Sequence, residues 1–205
     1  MGAAKGTNDW SNGMSELDFS YAEALLQHKE GEFEFVGDVK VRDSLFQDLL
    51  STFSGPIKVF QVGAIESLDG RFRVGSGWSD TFFGDYILKN GGSLTIADIN
   101  LDHLAHSFLV ARSRGYDLQL KLGDAINHIK SGYDIYYLDG ADEPLGHQQT
   151  LEQFQRIETT KSLVIVDDVE TKARLLQQYL KANEINFTFH DIGNGGMITV
   201  DMREH

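Results

Sequence analysis

Apolar positions along the chain change their spacing near residue 55. Before that point, two stretches carry apolar residues at helical intervals, residues 17–29 and residues 43–53. In the second stretch these residues are Leu45, Phe46, Leu49, Leu50 and Phe53. From residue 55 onward, short apolar runs alternate with helical stretches, which is typical of a parallel sheet with crossover helices. The pattern therefore predicts a helical lead-in followed by an α/β domain.

The α/β part contains seven apolar runs that we interpret as strands, at residues 57–62, 93–97, 117–122, 133–138, 162–166, 186–190 and 197–202. Between them, helices are predicted at residues 79–89, 102–114, 124–130, 151–157 and 171–182. The last two runs lie too close for a parallel pair, which needs a crossover of about a dozen or more residues. We therefore expect a Rossmann-like, seven-stranded, mostly parallel sheet with a C-terminal antiparallel hairpin and helices on both faces.

The domain organisation follows from the same pattern. Residues 1–14 are rich in Gly, Asn, Ser and Ala without periodicity, so we predict a flexible N-terminus. Residues 15–54 form the helical lead-in, and residues 55–205 form the α/β domain. A chain of 205 residues fits this single domain, since one domain usually takes about 100 to 200 residues.

Composition narrows the class of partner. The chain has 18 Lys and Arg residues against 31 Asp and Glu residues, and this net charge of -13 repels a phosphate backbone. We therefore expect no nucleic-acid partner. No apolar run approaches the roughly 18 to 20 residues of a membrane span, and the N-terminus lacks the features of a signal peptide. We expect a cytoplasmic protein with no membrane partner, and the absence of cysteine leaves oxygen and imidazole side chains as metal ligands.

Ligands of open α/β sheets bind at the carboxyl ends of the strands, and in this chain those ends are acidic. The first five runs are followed by Gly63-Ala64, Asp98, Gly123-Asp124-Ala125, Asp139-Gly140 and Asp167-Asp168. Four of the five ends therefore carry a carboxylate. Because these ends meet at one edge of a parallel sheet, we expect them to line a common site.

The segment GGSLTIADINLDHLAHSFLVARSRGYDLQLKLGDAINHI carries an acidic strand end, a helix and a GDA motif in that order. It resembles the class I S-adenosylmethionine-dependent methyltransferases, and the resemblance covers about residues 57–202, including the terminal hairpin. It implies that S-adenosylmethionine is the cofactor. Asp98, with Ile99 beside it, would hold the ribose hydroxyls, a role that an acidic residue plays in dinucleotide sites. The resemblance also assigns Asp124 and Ala125 to the adenine edge.

The glycine loop that precedes Asp98 is longer than usual. Acidic residues of this kind follow a glycine loop by about 20 positions, whereas Gly63 lies 35 positions before Asp98 and Gly77 lies 21 positions before it. Residues 65–76 therefore look like an insertion. Three glycines would let the backbone approach the amino-acid part of the cofactor: Gly63, Gly75 and Gly77. Ser79 is predicted to cap the helix that follows.

Three carboxylates are expected to converge at the ends of strands four and five: Asp139, Asp167 and Asp168. This concentration of charge favours a hard cation such as Mg²⁺, which prefers oxygen ligands. LDGAD at 138–142 and VDDV at 166–169 resemble motifs of metal-dependent small-molecule O-methyltransferases, both the catechol type and the macrocin-like type that methylates sugars. The paired aspartates are closer to the sugar branch. The alternative is that they cap the next helix.

The general base is less clearly marked. The catechol branch has a lysine base shortly after its strand-four aspartate, and here Ala141, Asp142 and Glu143 occupy that stretch. The candidate catalytic residues are Asp139, Asp142 and His147, because a tuned carboxylate or an imidazole can accept a proton near neutral pH. The alternative for His147 is a surface position at the start of a helix.

These features together predict methyl transfer from S-adenosylmethionine to a hydroxyl of a small-molecule acceptor, with Mg²⁺ assistance; an amine acceptor is the second choice. Two alternatives stay open, an aminopropyltransferase on the same scaffold and a non-catalytic binding module that keeps the fold. A dehydrogenase is disfavoured, because the loop lacks a G-x-G-x-x-G motif. The acceptor's identity and a homo-oligomeric state are left open by the sequence.

Overall fold

The computed structural model describes residues 39–68, 78–142, 144–157, 161–192 and 195–203 of the chain. The predicted flexible terminus, the predicted helix at 17–29 and most of the predicted insertion at 65–76 lie outside these residues, as do Gly75 and Gly77. The lead-in is therefore described from its second helix onward.

Seven strands form one sheet at the centre of the described residues. Their bounds are β1 Ile57–Val62, β2 Gly92–Asp98, β3 Leu118–Leu122, β4 Ile135–Leu138, β5 Leu163–Val166, β6 Thr188–His190 and β7 Met197–Asp201. The strand order across the sheet is β3-β2-β1-β4-β5-β7-β6. Strands β1 to β5 are parallel, whereas β7 runs antiparallel to both β5 and β6. The predicted Rossmann-like sheet with its C-terminal antiparallel hairpin is confirmed.

The helices lie at α1 Val39–Ser51, α2 Ser79–Asn90, α3 Leu101–Arg114, α4 Gly146–Arg156, α5 Val169–Lys172 and α6 Arg174–Ala182. Within the part of the chain that the structure describes, none of them is long and apolar enough to span a membrane.

The predicted helix at residues 124–130 is reduced to a single 3₁₀ turn, Ala125–Asn127. The backbone bonds of this turn run from the amides of Asn127, His128 and Ile129 to the carbonyls of Asp124 and Ala125. The His128 ring contacts the Leu122 carbonyl at 3.3 Å, and the Tyr136 hydroxyl donates to the Lys130 carbonyl at 2.6 Å. These contacts come from residues that periodicity alone does not mark as partners, so the helical prediction was wrong here.

The predicted helix at residues 171–182 is broken into α5 and α6 at Ala173. The Arg174 amide, the first of α6, donates to Nδ1 of His147 at 3.2 Å. A side chain of α4 therefore receives the backbone group at the break, and the chain changes direction just beyond the end of β5.

The sheet is covered on both faces, because alternate residues of each central strand point to opposite sides. In β1, Val59 packs on one face under α1, α2 and α3, and Phe60 packs on the other under α4 and α6. Phe46 fixes α1 to the first face, since its ring stacks on Phe82 at 4.5 Å between centroids and meets Tyr137 of β4 at 5.9 Å. The lead-in helix is thus part of the core.

Candidate active site

A cleft of about 490 Å³ lies along the carboxyl ends of β1 to β5. We call it the strand-end cleft. Of the predicted site residues it brings together Gly63, Asp98, Ile99, Asp124, Ala125, Asp139, Asp142 and Asp168. Its lining also includes Glu66, His103, Leu145, Gln149, Gln153 and Lys172. Most of the predicted strand-end residues therefore share one site.

The floor of the cleft is bare backbone at Gly63. This residue has φ +90°, and a Cβ atom built on it would stand 2.1 Å from the carbonyl oxygen of Asp139. Its amide donates to the Ala97 carbonyl at 3.0 Å. Only glycine can adopt this conformation without strain and fit this close approach of β1 to β4. A ligand can consequently come close to the main chain here.

Asp98 at the end of β2 is held by backbone donors. Its Oδ2 accepts from the Ala64 amide at 2.9 Å, and its Oδ1 accepts from the Asn100 amide at 2.7 Å. Nδ1 of His103 lies 3.5 Å from Oδ2. Each carboxylate oxygen has a second lone pair. Asp98 therefore presents a fixed pair of acceptors to the cleft, the arrangement that two neighbouring hydroxyls require.

An apolar surface adjoins Asp98. The Ile99 side chain is 77% exposed and lies on the cleft wall, and Ala125 is buried on the same wall. Oδ1 of Asp124 accepts from the Ile126 amide at 3.0 Å, which forms the turn that places Ala125. The end of β3 is tied to β2 because the Gly123 amide donates to the Asp98 carbonyl at 2.9 Å. This part of the cleft suits a planar ring with a polar edge.

The other half of the cleft is organised around Lys172, a residue that is only 4% exposed. Its ammonium group donates to Oδ1 of Asp139 and, at 3.2 Å, to Oδ2 of Asp168. Oδ1 of Asp142 lies 3.5 Å away. Asp142 itself is at the rim, with a side chain that is 71% exposed. One ammonium group therefore contacts or faces three carboxylates.

The pKa of each group in this cluster reflects burial and its neighbours. Burial raises the pKa of Asp139 to about 6, with Lys172 acting against the rise and Asp167 adding to it. The pKa of Asp168 is also raised, by burial first and then by the charge of Asp167. Burial alone would lower the pKa of Lys172, but Asp139 and Asp168 outweigh it, so the lysine pKa is raised.

Asp168 adopts a left-handed conformation, with φ +47°. The turn before β7 packs against it, since a Cβ atom on Gly195 would stand 2.8 Å from Oδ1 of Asp168. The amides of Val169 and Glu170 donate to the carbonyls of Gly196 and Gly195, at 3.2 and 3.3 Å. A non-glycine residue in this region is strained, and such strain is held by surrounding structure. The hairpin supplies that support.

Asp167 does not face the cleft. It is 1% exposed, and its Oδ2 accepts from both Arg42 of α1 and the Tyr137 hydroxyl. Arg42 also donates to the Tyr137 oxygen at 2.7 Å. Burial raises the pKa of Tyr137 well above its ordinary value, so this hydroxyl stays protonated and can donate. Asp167 therefore joins the lead-in helix to the sheet.

The residues do not fit the predicted Mg²⁺ site. Asp139 and Asp168 are bonded to Lys172, and Asp167 is bonded to Arg42, so each of these carboxylates already bonds to a protein cation. Among the described residues, no three His, Asp or Glu side chains are placed to hold a metal ion. The sequence interpretation missed both cations. Lys172 follows Asp168 by four positions on a helix, which is a usable signal, whereas Arg42 lies 125 positions from its partner.

Two further predicted roles are corrected. Ser79 begins α2 itself and does not precede it, and within the described residues its buried hydroxyl has no hydrogen-bond partner, so it is not the predicted cap. His147 is buried at the start of α4, outside the cleft lining, and its Nδ1 accepts from the Arg174 amide. It is therefore not a surface residue, and it does not lie in the cleft where the predicted base would act. Trp78 donates to the Ser67 carbonyl at 3.2 Å.

Comparisons with known proteins agree with this geometry at the level of fold. Scans against models of protein families and against curated proteins found no match. A methyltransferase from Geobacter sulfurreducens has a similar solved structure, with a TM-score of 0.56 and 13% identity over 92% of this chain and 89% of that one. An SAH-bound methyltransferase from Podospora anserina also has a TM-score of 0.56, with 10% identity over 98% and 99%.

The N-methyltransferase NodS from Bradyrhizobium japonicum is similar as well, with a TM-score of 0.53 and 8% identity over 80% of this chain and 94% of that one. At such low identity, the similarity to these structures shows the fold alone. In this chain that fold is a sheet with five parallel strands and a terminal antiparallel hairpin. The chain therefore has a Rossmann-like fold similar to that of these solved methyltransferases.

Proposed function

We propose that this protein transfers a methyl group from S-adenosylmethionine to a hydroxyl or amine of a small polar acceptor. The observation that carries the proposal is Asp98, whose two oxygens are held by backbone amides at the end of β2 and face a cleft. The fold supports it, because each similar structure described above is a methyltransferase by name. The Podospora protein was solved with SAH bound.

The lining of the strand-end cleft fits this cofactor group by group. Asp98 would accept hydrogen bonds from both ribose hydroxyls, and Ile99 and Ala125 would flank the adenine ring. The bare backbone at Gly63 would admit the amino-acid part. The cleft is also strongly acidic, with carboxylates on Glu66, Asp98, Asp124, Asp139, Asp142 and Asp168. Such a field favours a cationic donor.

When bound, S-adenosylmethionine supplies a methyl group on a positively charged sulfur. Its transfer would form a bond between the acceptor's lone pair and this methyl carbon and would leave the electron pair of the broken carbon–sulfur bond on sulfur. The proton of the acceptor must then go to a base. Asp139 lies in the cleft, and its raised pKa of about 6 leaves it ionised at pH 7 and above. We assign Asp139 as the base.

Two features favour a small acceptor. The net charge of -13 and the acidic cleft oppose binding of a nucleic acid. A cleft of about 490 Å³ also lies within the range of small-molecule sites. The proposed reaction does not use Mg²⁺, because Lys172 and Arg42 already bind the carboxylates that would hold the ion.

The experiment is a calorimetric titration of the protein with S-adenosylmethionine and SAH. We expect binding of both by the wild type and about 10- to 100-fold weaker binding by Asp98→Ala, which removes hydrogen bonds to a charged group. Asp117→Ala, at an exposed aspartate outside the cleft lining, is the matched control and should bind as the wild type does. Absence of binding by the wild type would refute the proposal.

The same titration separates the two alternatives. Tighter binding of decarboxylated S-adenosylmethionine than of the ordinary cofactor would favour aminopropyl transfer. Binding without methylation of any acceptor in a library of small hydroxyl and amine compounds would favour a binding module. Methyl transfer to one of them, lost in Asp139→Asn with cofactor binding retained, is the result that we expect.

A further inference from the structure

Lys172 lies at the centre of three carboxylates of the acidic cleft. Its ammonium nitrogen has one oxygen each of Asp139, Asp168 and Asp142 within 3.5 Å. Those aspartates follow two different strands, so the lysine joins the ends of β4 and β5. It is almost fully buried, whereas a lysine side chain is usually exposed. A buried cation among three carboxylates calls for a specific role.

We infer that Lys172 serves as a built-in replacement for a divalent cation: it orients Asp139 and Asp168 at the acceptor side and keeps metal ions from these carboxylates. The role in catalysis rests on the proposed function, whereas the exclusion of metal rests on the geometry alone. Lys172 is thus a positioning residue, and Asp139 is the residue that meets the acceptor.

The first argument is competition for the same atoms. A divalent cation such as Mn²⁺ needs several oxygen ligands that converge on one point. Here the point of convergence is the lysine nitrogen, which bonds to Oδ1 of Asp139 and Oδ2 of Asp168. An ion at that point would have to displace the ammonium or stand beside a like charge in a buried setting, which is unfavourable.

The second argument is the second cation. Asp167 is a further carboxylate near this cluster, and Arg42 binds it from α1 together with Tyr137. Asp167 therefore cannot supply another oxygen to an ion without giving up its own partners. Protein groups thus satisfy both the cleft side and the buried side of the acidic cluster.

The third argument concerns Asp139 as a base. Its burial and its acidic neighbours favour the protonated form, and the positive charge of Lys172 opposes them. A bound metal ion would keep this carboxylate ionised through its positive charge. Lysine provides it without occupying the free side of the carboxylate, which faces the cleft.

The test measures Mn²⁺ binding, by calorimetry and by the electron paramagnetic resonance signal of the free ion. The proteins compared are the wild type, Lys172→Ala, Lys172→Arg and Lys181→Ala. Lys181 is an exposed lysine at the end of α6, so its variant has the same net charge as Lys172→Ala and controls for non-specific attraction. Circular dichroism and thermal unfolding report whether each protein is folded.

We expect Lys172→Ala to bind one Mn²⁺ at least about 10-fold more tightly than the wild type, because a like charge is removed from three converging carboxylates. Lys181→Ala and Lys172→Arg should match the wild type. Adding Asp139→Asn to Lys172→Ala should abolish the gain. If Lys172→Ala does not fold, Lys172→Gln gives the same comparison, since it removes the charge and keeps much of the side-chain volume.

Two results would overturn the inference. One is equal Mn²⁺ affinity in the folded wild type and the charge-free variant. The other is Mn²⁺ binding by the wild type that Asp139→Asn abolishes. SAH titrations on the same proteins keep this question separate from the proposed function. A wild type that fails to bind SAH refutes methyl transfer but leaves the Mn²⁺ comparison valid. Equal Mn²⁺ affinity in the wild type and the charge-free variant refutes the role of Lys172 but leaves the proposed methyl transfer open to its own test.

Discussion

Asp80 makes the stability of this protein depend on pH in a way that can be calculated. It lies in the first turn of α2 and is 0% exposed. Burial raises the pKa of its carboxyl group from 3.8 to about 7. The Ser107 hydroxyl and the Thr81 amide act against the rise, but neither reaches full hydrogen-bond geometry with the carboxylate.

The direction in which pH changes the stability follows from the protonation of Asp80 in the folded and the unfolded protein. The folded protein keeps the Asp80 proton up to about pH 7, whereas the unfolded chain releases it near pH 3.8. Folding therefore becomes less favourable as pH rises between these values and levels off above about 7. Each pKa unit corresponds to 1.36 kcal/mol, so the full penalty is on the order of 4 kcal/mol. An amide in place of the carboxyl group has the same shape and does not ionise.

We expect Asp80→Asn to raise the free energy of unfolding by about 2 to 3 kcal/mol at pH 8, because part of the gain offsets the burial of an unsatisfied amide. At pH 4 the variant should be no more stable than the wild type. Urea unfolding followed by tryptophan fluorescence, at intervals from pH 4 to pH 8, measures this difference.

Asp85→Asn is the control for the same charge change in the same helix. Asp85 is half-exposed and pairs with Arg114 at 2.8 Å, an arrangement worth at most about 1 kcal/mol. Its effect on stability should change little with pH. A difference between Asp80→Asn and the wild type that stays constant from pH 4 to pH 8 would refute the reasoning, since it would mean that the carboxyl group does not change its charge on unfolding.

Two other substitutions test contacts that shape the cleft. Gly63→Ala should lower the thermal midpoint and weaken SAH binding at least about 10-fold. Its Cβ atom would push the Asp139 carbonyl, and a positive φ costs about 1 to 2 kcal/mol for alanine. An unchanged SAH affinity, measured by calorimetry, would contradict this expectation. Arg42→Leu leaves the buried Asp167 without its cation and should cost about 3 to 5 kcal/mol in urea unfolding. A loss below about 1 kcal/mol would show that the Tyr137 hydroxyl alone satisfies that carboxylate.

The fold could be predicted from the sequence to the extent that burial controls it. The bounds of β1, Ile57–Val62, were predicted residue for residue, because a mostly apolar run lies there between Gly55-Pro56 and Gly63. The short gap before β7 was enough to predict the hairpin. The break at Ala173 was not predictable, because it depends on His147, which comes from another helix. Periodicity describes contacts along one helix and carries no information about such partners.

The positions of the candidate site residues could be predicted from the sequence, but the directions of their side chains could not. Topology brings Gly63, Asp98 and Asp139 to one edge of the sheet, so their meeting in the cleft follows from the strand order. The direction in which each carboxylate points does not follow from topology. Asp167 points away from the cleft because it bonds to Arg42 of the lead-in helix, whereas Asp168 bonds to Lys172 in the cleft. A count of acidic residues at strand ends could not distinguish these two neighbours.

The turn before β7 has a consequence for how this protein can vary. Gly195 and Gly196 belong by position to a hairpin at the edge of the sheet, where insertions and substitutions are usually tolerated. Here Gly195 lies against the side chain of Asp168, and both glycines accept hydrogen bonds from the chain just after it. A longer or bulkier turn would therefore move a wall of the cleft. This hairpin is therefore a place where the shape of the cleft, and with it the preference for a ligand, can be changed while Asp98 and Gly63 are left untouched.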